Sequence, residues 1–165
     1  GIQGALVSHG SSTVPRYIVE EINALGGNIQ NAYGISKEEL KAAIPCGIGK
    51  INVDTDIRLA VTRNFRELFR DHPELKDDPK AGGVWKLLDE KRDAFDPRAF
   101  LAPIMDTVMY GAGDEGAVAR ITDAMRRGVK EAVGTLIVEF GSYGKAPLVE
   151  PATLEDMAAR YAKEG

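Results

Sequence analysis

His9 closes a short apolar run, "ALVSHGSS", and is followed at once by Gly10, Ser11 and Ser12. An imidazole at the tip of a strand is a metal ligand, a general base, or a histidine hydrogen-bonded within its own loop, and position alone leaves all three open. The Gly-Ser-Ser run offers backbone amides and hydroxyls that suit an anion such as phosphate, and equally a turn that caps a helix. A second polar group lies in "NVDTDIR", where Asn52 and Asp54 alternate with Ile51 and Val53. That alternation puts an amide and a carboxylate on one face of a strand end. Thr55 or Asp56 suits the N-cap of the helix that follows, and capping is the role expected of Asp56. Arg58 falls in the first turn of that helix, where a guanidinium can reach a second anion. Arg63, Arg66, Arg70 and Lys50 are expected on the solvated surface. His72, in "RDHPEL", suits the C-terminus of a helix as a cation, and Cys46, the single cysteine, suits a small buried thiol.

These groups need elements to hold them. Residues 4 to 9 read as a strand, and "RYIVEEINALGG" as a helix with Ile18, Ile22 and Leu25 at helical spacing before a Gly-Gly stop. Ser36 with Glu39 three residues on forms a capping-box pattern at the start of a short helix that stops near Pro45 and Gly47. "GKINVDTD" predicts a second strand, and "DIRLAVTRNFRELFRDHP" a helix ended by His72-Pro73. Strand and helix alternate to residue 72, which predicts a parallel sheet with its working residues at the carboxyl ends of the strands. Beyond it "ELKDDPKAGG" reads as a charged surface segment, followed by helical pieces divided by Pro97 and closed near Gly111. From Gly116, Val118, Ile121, Met125, Val129, Val133, Leu136 and Phe140 recur every three or four residues, which predicts one long helix. A short helix behind Pro151 ends the chain.

Over 165 residues the apolar and charged fractions are those of an ordinary globular domain, and the net charge of -4 has no basic stripe to meet a nucleic-acid backbone. No apolar run reaches the roughly 20 residues of a membrane-spanning helix, and no charged leader followed by an apolar stretch opens the chain. A cytoplasmic location, with neither nucleic acid nor membrane as partner, is the expectation. The sequence opens on Gly1 rather than Met and runs straight into a strand that needs neighbours, so it reads as a segment of something longer.

"LVSHGSSTVP", "GIGKINVDTDIRLA" and "FDPRAFLAPIMD", in this order and at these separations, resemble the C-terminal part of the class II, metal-dependent fructose-1,6-bisphosphate aldolases. The resemblance covers most of residues 4 to 110 and extends to the long helix. It implies an α/β chain forming the C-terminal part of a (β/α)8 TIM barrel, its last two strands, with a helical C-terminal extension. Residues 1–72 would be the final βα units, and residues 73–165 a charged loop and C-terminal helices of the same domain. The implied reaction is reversible cleavage of fructose 1,6-bisphosphate to dihydroxyacetone phosphate and glyceraldehyde 3-phosphate, a step of glycolysis and gluconeogenesis. By the same resemblance His9 would be one ligand of a catalytic zinc ion. Gly10 and Ser12 would bind the phosphate of dihydroxyacetone phosphate, near a monovalent-cation site. Asn52, Asp54 and Thr55 would contact the sugar, and Arg58 the distal phosphate. The general acid/base aspartate and the remaining zinc histidines match nothing in these residues, so the segment alone is expected to be inactive, and homo-oligomers are expected. Tagatose-bisphosphate aldolase and a non-catalytic phosphosugar-binding half-barrel are the alternatives.

Overall fold

The structure is a computed structural model that describes residues 4, 6–149 and 152–164. Two short strands, β1 (Leu6–Ser8) and β2 (Ile48–Ile51), pair in parallel, Leu6 opposite Ile48 and Ser8 opposite Ile51, with an irregularity between Leu6 and Val7. Between them run α1 (Arg16–Ala24) and α2 (Lys37–Ala43), the long crossover that parallel pairing demands. The capping box forms at α2: the Glu39 amide donates to Ser36 Oγ at 3.2 Å, and the Ser36 amide to Glu39 Oε2 at 3.0 Å. After a 3-10 turn at Ile44–Cys46, Gly47 takes a φ of 105°, a left-handed conformation open to glycine, and turns the chain into β2.

Four helices follow: α3 (Thr55–Asp71), α4 (Ala81–Glu90), α5 (Met105–Tyr110) and the long α6 (Gly116–Glu139). A last helix, α7 (Leu154–Glu164), begins after residues 150 and 151; Pro151 and the Ala5 of the expected first strand lie outside the described residues. Among the described residues no helix is long and apolar enough to cross a membrane.

The core lies against α3 and away from the strands. Phe65 and Phe69 of α3 pack with Val84 and Leu88 of α4, Phe100, Ile104 and Ile121. The Phe65 and Phe100 rings meet edge to face at 5.9 Å. A smaller cluster joins Ile18 and Ile22 of α1 to Leu59 and Ala60 of α3 and Ala132 of α6. Leu6 and Val7 are exposed, so in these residues the strands do not build the core; they carry the loops.

Several sequence expectations change here. β2 stops at Ile51, so Asn52 to Asp54 form a connection into α3 and are not strand residues. The "charged surface segment" buries Leu75, and α4 starts at Ala81 and contains Gly82 and Gly83. Arg66 is only 1% exposed, and its guanidinium donates to Leu88 O at 2.9 Å, a carbonyl at the end of α4. Burial pushes its pKa down. Arg63 is mostly covered and pairs with Glu131 of α6 and Glu67. Two of the three arginines read as surface charges therefore bind helices together, because α3 is covered on more than one side. Arg70 stays exposed, beside Asp71. Cys46 is exposed rather than buried. The long helix forms as expected, but its inward face is Val118, Ile121, Ala124, Gly128 and Ala132; Val129 and Val133 are exposed.

Candidate active site

Both strands end on the same side, because they run parallel with Ser8 opposite Ile51, and their following loops meet there. Asn52 N donates to Ser8 O at 2.9 Å and Ser11 N to Asn52 O at 3.3 Å, so the ladder continues into the loops. His9 then stands beside Asn52, with Asn52 Nδ2 donating to His9 Nδ1 at 2.9 Å. Gly10 has a φ of 65°, and a Cβ there would meet nothing within 4 Å, so the left-handed backbone is what selects glycine.

The two serines divide the labour of the loop. Ser11 is fully buried, its hydroxyl 2.5 Å from that of Ser8. Ser12 Oγ accepts from the amides of Asp54 at 3.2 Å and Thr55 at 3.0 Å, so it caps α3 from the neighbouring loop. Asp54, at the N-cap position of α3, makes no capping bond of its own. The expectation that Asp56 caps its helix is replaced by a longer-range role. Asp56 Oδ2 accepts from the Thr13 amide at 3.1 Å and the Thr13 hydroxyl at 2.7 Å, and Oδ1 from the Val14 amide at 2.8 Å. This buried carboxylate pins the end of the first loop to the start of α3.

An open cleft of about 570 Å³ lies over these loops, lined by Gly10, Ser12, Asn52, Asp54 and Thr55 together with Ile51 and Val53. Arg58 stands one turn along α3. Its Nε donates to Asp54 Oδ1 at 2.9 Å, its Nη2 to Asp54 Oδ2, and its Nη1 to Asp96 Oδ2 at 2.7 Å. Asp96 comes from the "FDPR" segment and also accepts from Arg98. The Arg98 hydrogen bonds, followed by the nearby charge of Arg58, hold the Asp96 carboxyl below the usual carboxylate range. Thr62 Oγ1 donates to Phe95 O at 2.9 Å, which fastens this segment to α3. Asp96 and Arg98 went unassigned in the sequence; the one signal for them is that "FDPR" accompanies the other two motifs.

Among the described residues the donor set for a metal is incomplete. His72 lies at the far end of α3, beside Glu74 at 3.2 Å, and among the described residues no cluster of three or more His, Cys, Asp or Glu side chains could hold an ion. A catalytic zinc takes three protein ligands. His9 Nδ1 faces the Asn52 side-chain amide, which leaves Nε2 as the ring nitrogen available to a metal. As a metal ligand it would use the Nε2 lone pair, with the Asn52 amide accepting from Nδ1–H. These residues do not make a metal site by themselves.

A parallel pair whose carboxyl ends carry a histidine, a Gly-Ser loop, an amide, a carboxylate and an arginine defines an α/β unit with a polar cleft at its strand ends. The family model described as fructose-bisphosphate aldolase class-II matches residues 2–145, and the chain belongs to that family. It is 35% identical over 157 residues to the fructose-bisphosphate aldolase of Xanthobacter flavus, covering 95% of this chain and 33% of that protein. It is 34% identical over 158 residues to fructose-bisphosphate aldolase class 2 of Synechocystis sp., covering 96% of this chain and 33% of that one. The aldolase of Thermus caldophilus is 35% identical over 145 residues, 88% of this chain and 34% of its own length. The chain thus spans about a third of the length of the curated relatives it matches.

Proposed function

We propose that this chain forms the last two strands of a (β/α)8 barrel with its helical extension, in a zinc-dependent class II aldolase that reversibly cleaves fructose 1,6-bisphosphate to dihydroxyacetone phosphate and glyceraldehyde 3-phosphate. Residues 1–72 supply the final βα units and residues 73–165 belong to the same domain. The observation that carries the reading is the meeting of "HGSS" and "NVDTDIR" in one cleft, Gly10, Ser12, Asn52, Asp54 and Thr55 lining it together.

In this reading the Gly10 amide and Ser12 bind the phosphate of dihydroxyacetone phosphate, with a monovalent cation nearby. Asn52, Asp54 and Thr55 contact the sugar hydroxyls, and Arg58 takes the distal phosphate. The present contacts say what binding costs. Ser12 is engaged with two amides of α3, and Arg58 is tied to two carboxylates, so a phosphate dianion has to displace Asp54 or Asp96 from the guanidinium. That exchange keeps the arginine oriented before substrate arrives. His9 contributes one zinc ligand; the other ligands and the general acid/base come from outside these residues. The reading includes a cytoplasmic homo-oligomer.

The test is an aldol-cleavage assay with fructose 1,6-bisphosphate on the longer polypeptide carrying these residues, before and after chelation, beside the 165-residue chain alone. Activity is expected from the longer polypeptide, lost on chelation and restored by zinc, and none from the chain alone. His9→Ala should lower zinc content and turnover together. Activity that survives complete metal removal, or normal zinc content in His9→Ala, would overturn the reading.

A further inference from the structure

Between α1 and α2 the chain does not turn at once. After Gly27 it doubles back along α1 toward the strand ends, with Ile29 buried against Ile18 and Ile22 and Ala32 packed on the same cluster. Nine helical residues rise about 14 Å, and the seven residues from 28 to 34 can span about 23 Å, so the return reaches the loop that carries Ser12. Both ends of this return are fastened. At the far end the Asn23 side chain holds Ile29 by two bonds, Nδ2 donating to Ile29 O at 3.0 Å and Oδ1 accepting from the Ile29 amide at 2.7 Å, and the Asn28 amide donates to Arg92 O at 2.8 Å. At the near end the Ile35 amide donates to Ser12 O at 3.1 Å.

Gly34 is what lets the near end close. A Cβ there would overlap Ser12 O and the Thr13 carbonyl, so the two backbones lie in direct contact with no room for a side chain. Ser12 is thereby held on two sides, its carbonyl by the returning segment and its hydroxyl by the amides of Asp54 and Thr55. Its third side lines the open cleft. A side chain at position 34 has to displace one backbone or the other. The returning segment is anchored by Asn23, Asn28 and buried Ile29, whereas Ser12 has open space on its cleft side, so Ser12 is the one that moves.

We propose that residues 28–35 form a strap that fixes Ser12 in the cleft, with Gly34 as the positioning residue, so that the strap sets how tightly a phosphate-bearing substrate is held. The proposal rests on the reading of Ser12 as a phosphate contact and adds to it a control exerted from behind the site. Misplacing a binding group by about 1 Å can cost on the order of 100-fold. A phosphate contact is made in both the bound substrate and the transition state, so its loss falls on KM before kcat.

Steady-state cleavage of fructose 1,6-bisphosphate by the longer polypeptide should show KM raised at least about 10-fold in Gly34→Ala, with kcat within about threefold of wild type. Asn23→Ala, which loosens the strap at its distant end and adds no bulk, should move KM in the same direction by less. Gly82→Ala is the comparison: its Cβ would overlap Lys76 O, away from the cleft, so it strains the fold and leaves KM unchanged. Hydrogen exchange reads the strap without turnover. The Asp54 and Thr55 amides should exchange faster, relative to the middle of α3, in Gly34→Ala and not in Gly82→Ala. A KM in Gly34→Ala no higher than in Gly82→Ala, or unchanged exchange at Asp54 and Thr55, overturns the proposal, and the same two readings on Asn23→Ala decide it where Gly34→Ala does not fold. A longer polypeptide without aldol cleavage overturns the aldolase reading alone, and the exchange result then decides on the strap.

Discussion

Removing the Asp56 carboxylate should loosen the strand-end loops more than any change at the surface of the cleft. Asp56 is 4% exposed and accepts three hydrogen bonds, from the Thr13 amide and hydroxyl and from the Val14 amide. A hydrogen bond to a charged group contributes about 1.5 to 3 kcal/mol, but here the donors are half-buried and the Thr13 hydroxyl can turn to water, so the loss falls well below the simple total. Against it stands a release. Val14 is held at a φ of 49°, a left-handed conformation that costs a β-branched residue about 1 to 2 kcal/mol and can relax once the pin is gone. The balance for Asp56→Ala is a loss of about 2 to 3 kcal/mol, and a Tm lower by about 4 to 12 °C for a domain of this size. Asp56→Asn, which keeps one acceptor oxygen, should lie between. Urea and thermal unfolding followed by circular dichroism measure both. A loss below about 0.5 kcal/mol in Asp56→Ala would mean that the loop is shaped by something other than this carboxylate.

Two further outcomes follow from the packing and the charges. A Cβ added at Gly128 would lie 2.7 Å from Val61 Cα and 2.8 Å from Val61 N, so α3 and α6 have to part; the overpacking cost of about 1 to 3 kcal/mol outweighs the helix-propensity gain of about 1, and Gly128→Ala should destabilise. Gly134→Ala on the same helix meets nothing within 4 Å and should stabilise by up to about 1 kcal/mol; denaturation midpoints moving the same way in both variants would contradict this. The Asp96 carboxyl is held below its usual range, first by the Arg98 hydrogen bonds. A carboxyl depressed by folding stabilises the native state above its unfolded pKa, about 3.9 for aspartate, and that contribution is lost as pH falls through the depressed folded value. The stability deficit of Asp96→Asn should therefore be constant from pH 7 to about 5 and shrink below about pH 4, and a deficit unchanged at pH 2 would refute the assignment.

Much of the candidate cleft was legible because it depends on local order. A strand, a histidine and a Gly-Ser loop are consecutive, and "NVDTDIR" carries its amide, carboxylate and arginine within seven residues. The helices announce themselves by periodicity and by caps such as Ser36 with Glu39. What periodicity missed is informative. Asp56 has the residue type and place of an N-cap, yet its partners lie 42 and 43 residues away. Asp96 and Arg98 flank the Pro97 that divides the expected helical pieces and carried no assigned role, and only the folding of that segment onto α3 brings Asp96 to Arg58.

The sequence by itself determined the parallel pair, the order of the helices, the residues at the strand ends and the family to which they belong. Spacing of one to seven residues sets those, through the alternation of a strand and the turn of a helix. Tertiary structure alone decided which charges are structural. Arg63 and Arg66 sit three residues apart on α3 and look like solvated arginines, but α1, α4 and α6 surround that helix and draw both guanidinium groups into partnerships between helices. It also decided that α6 has two apolar sides, one closed on α3 and one open. A repeat of three or four residues fixes which side chains share a face, and which neighbour covers that face depends on contacts tens of residues away.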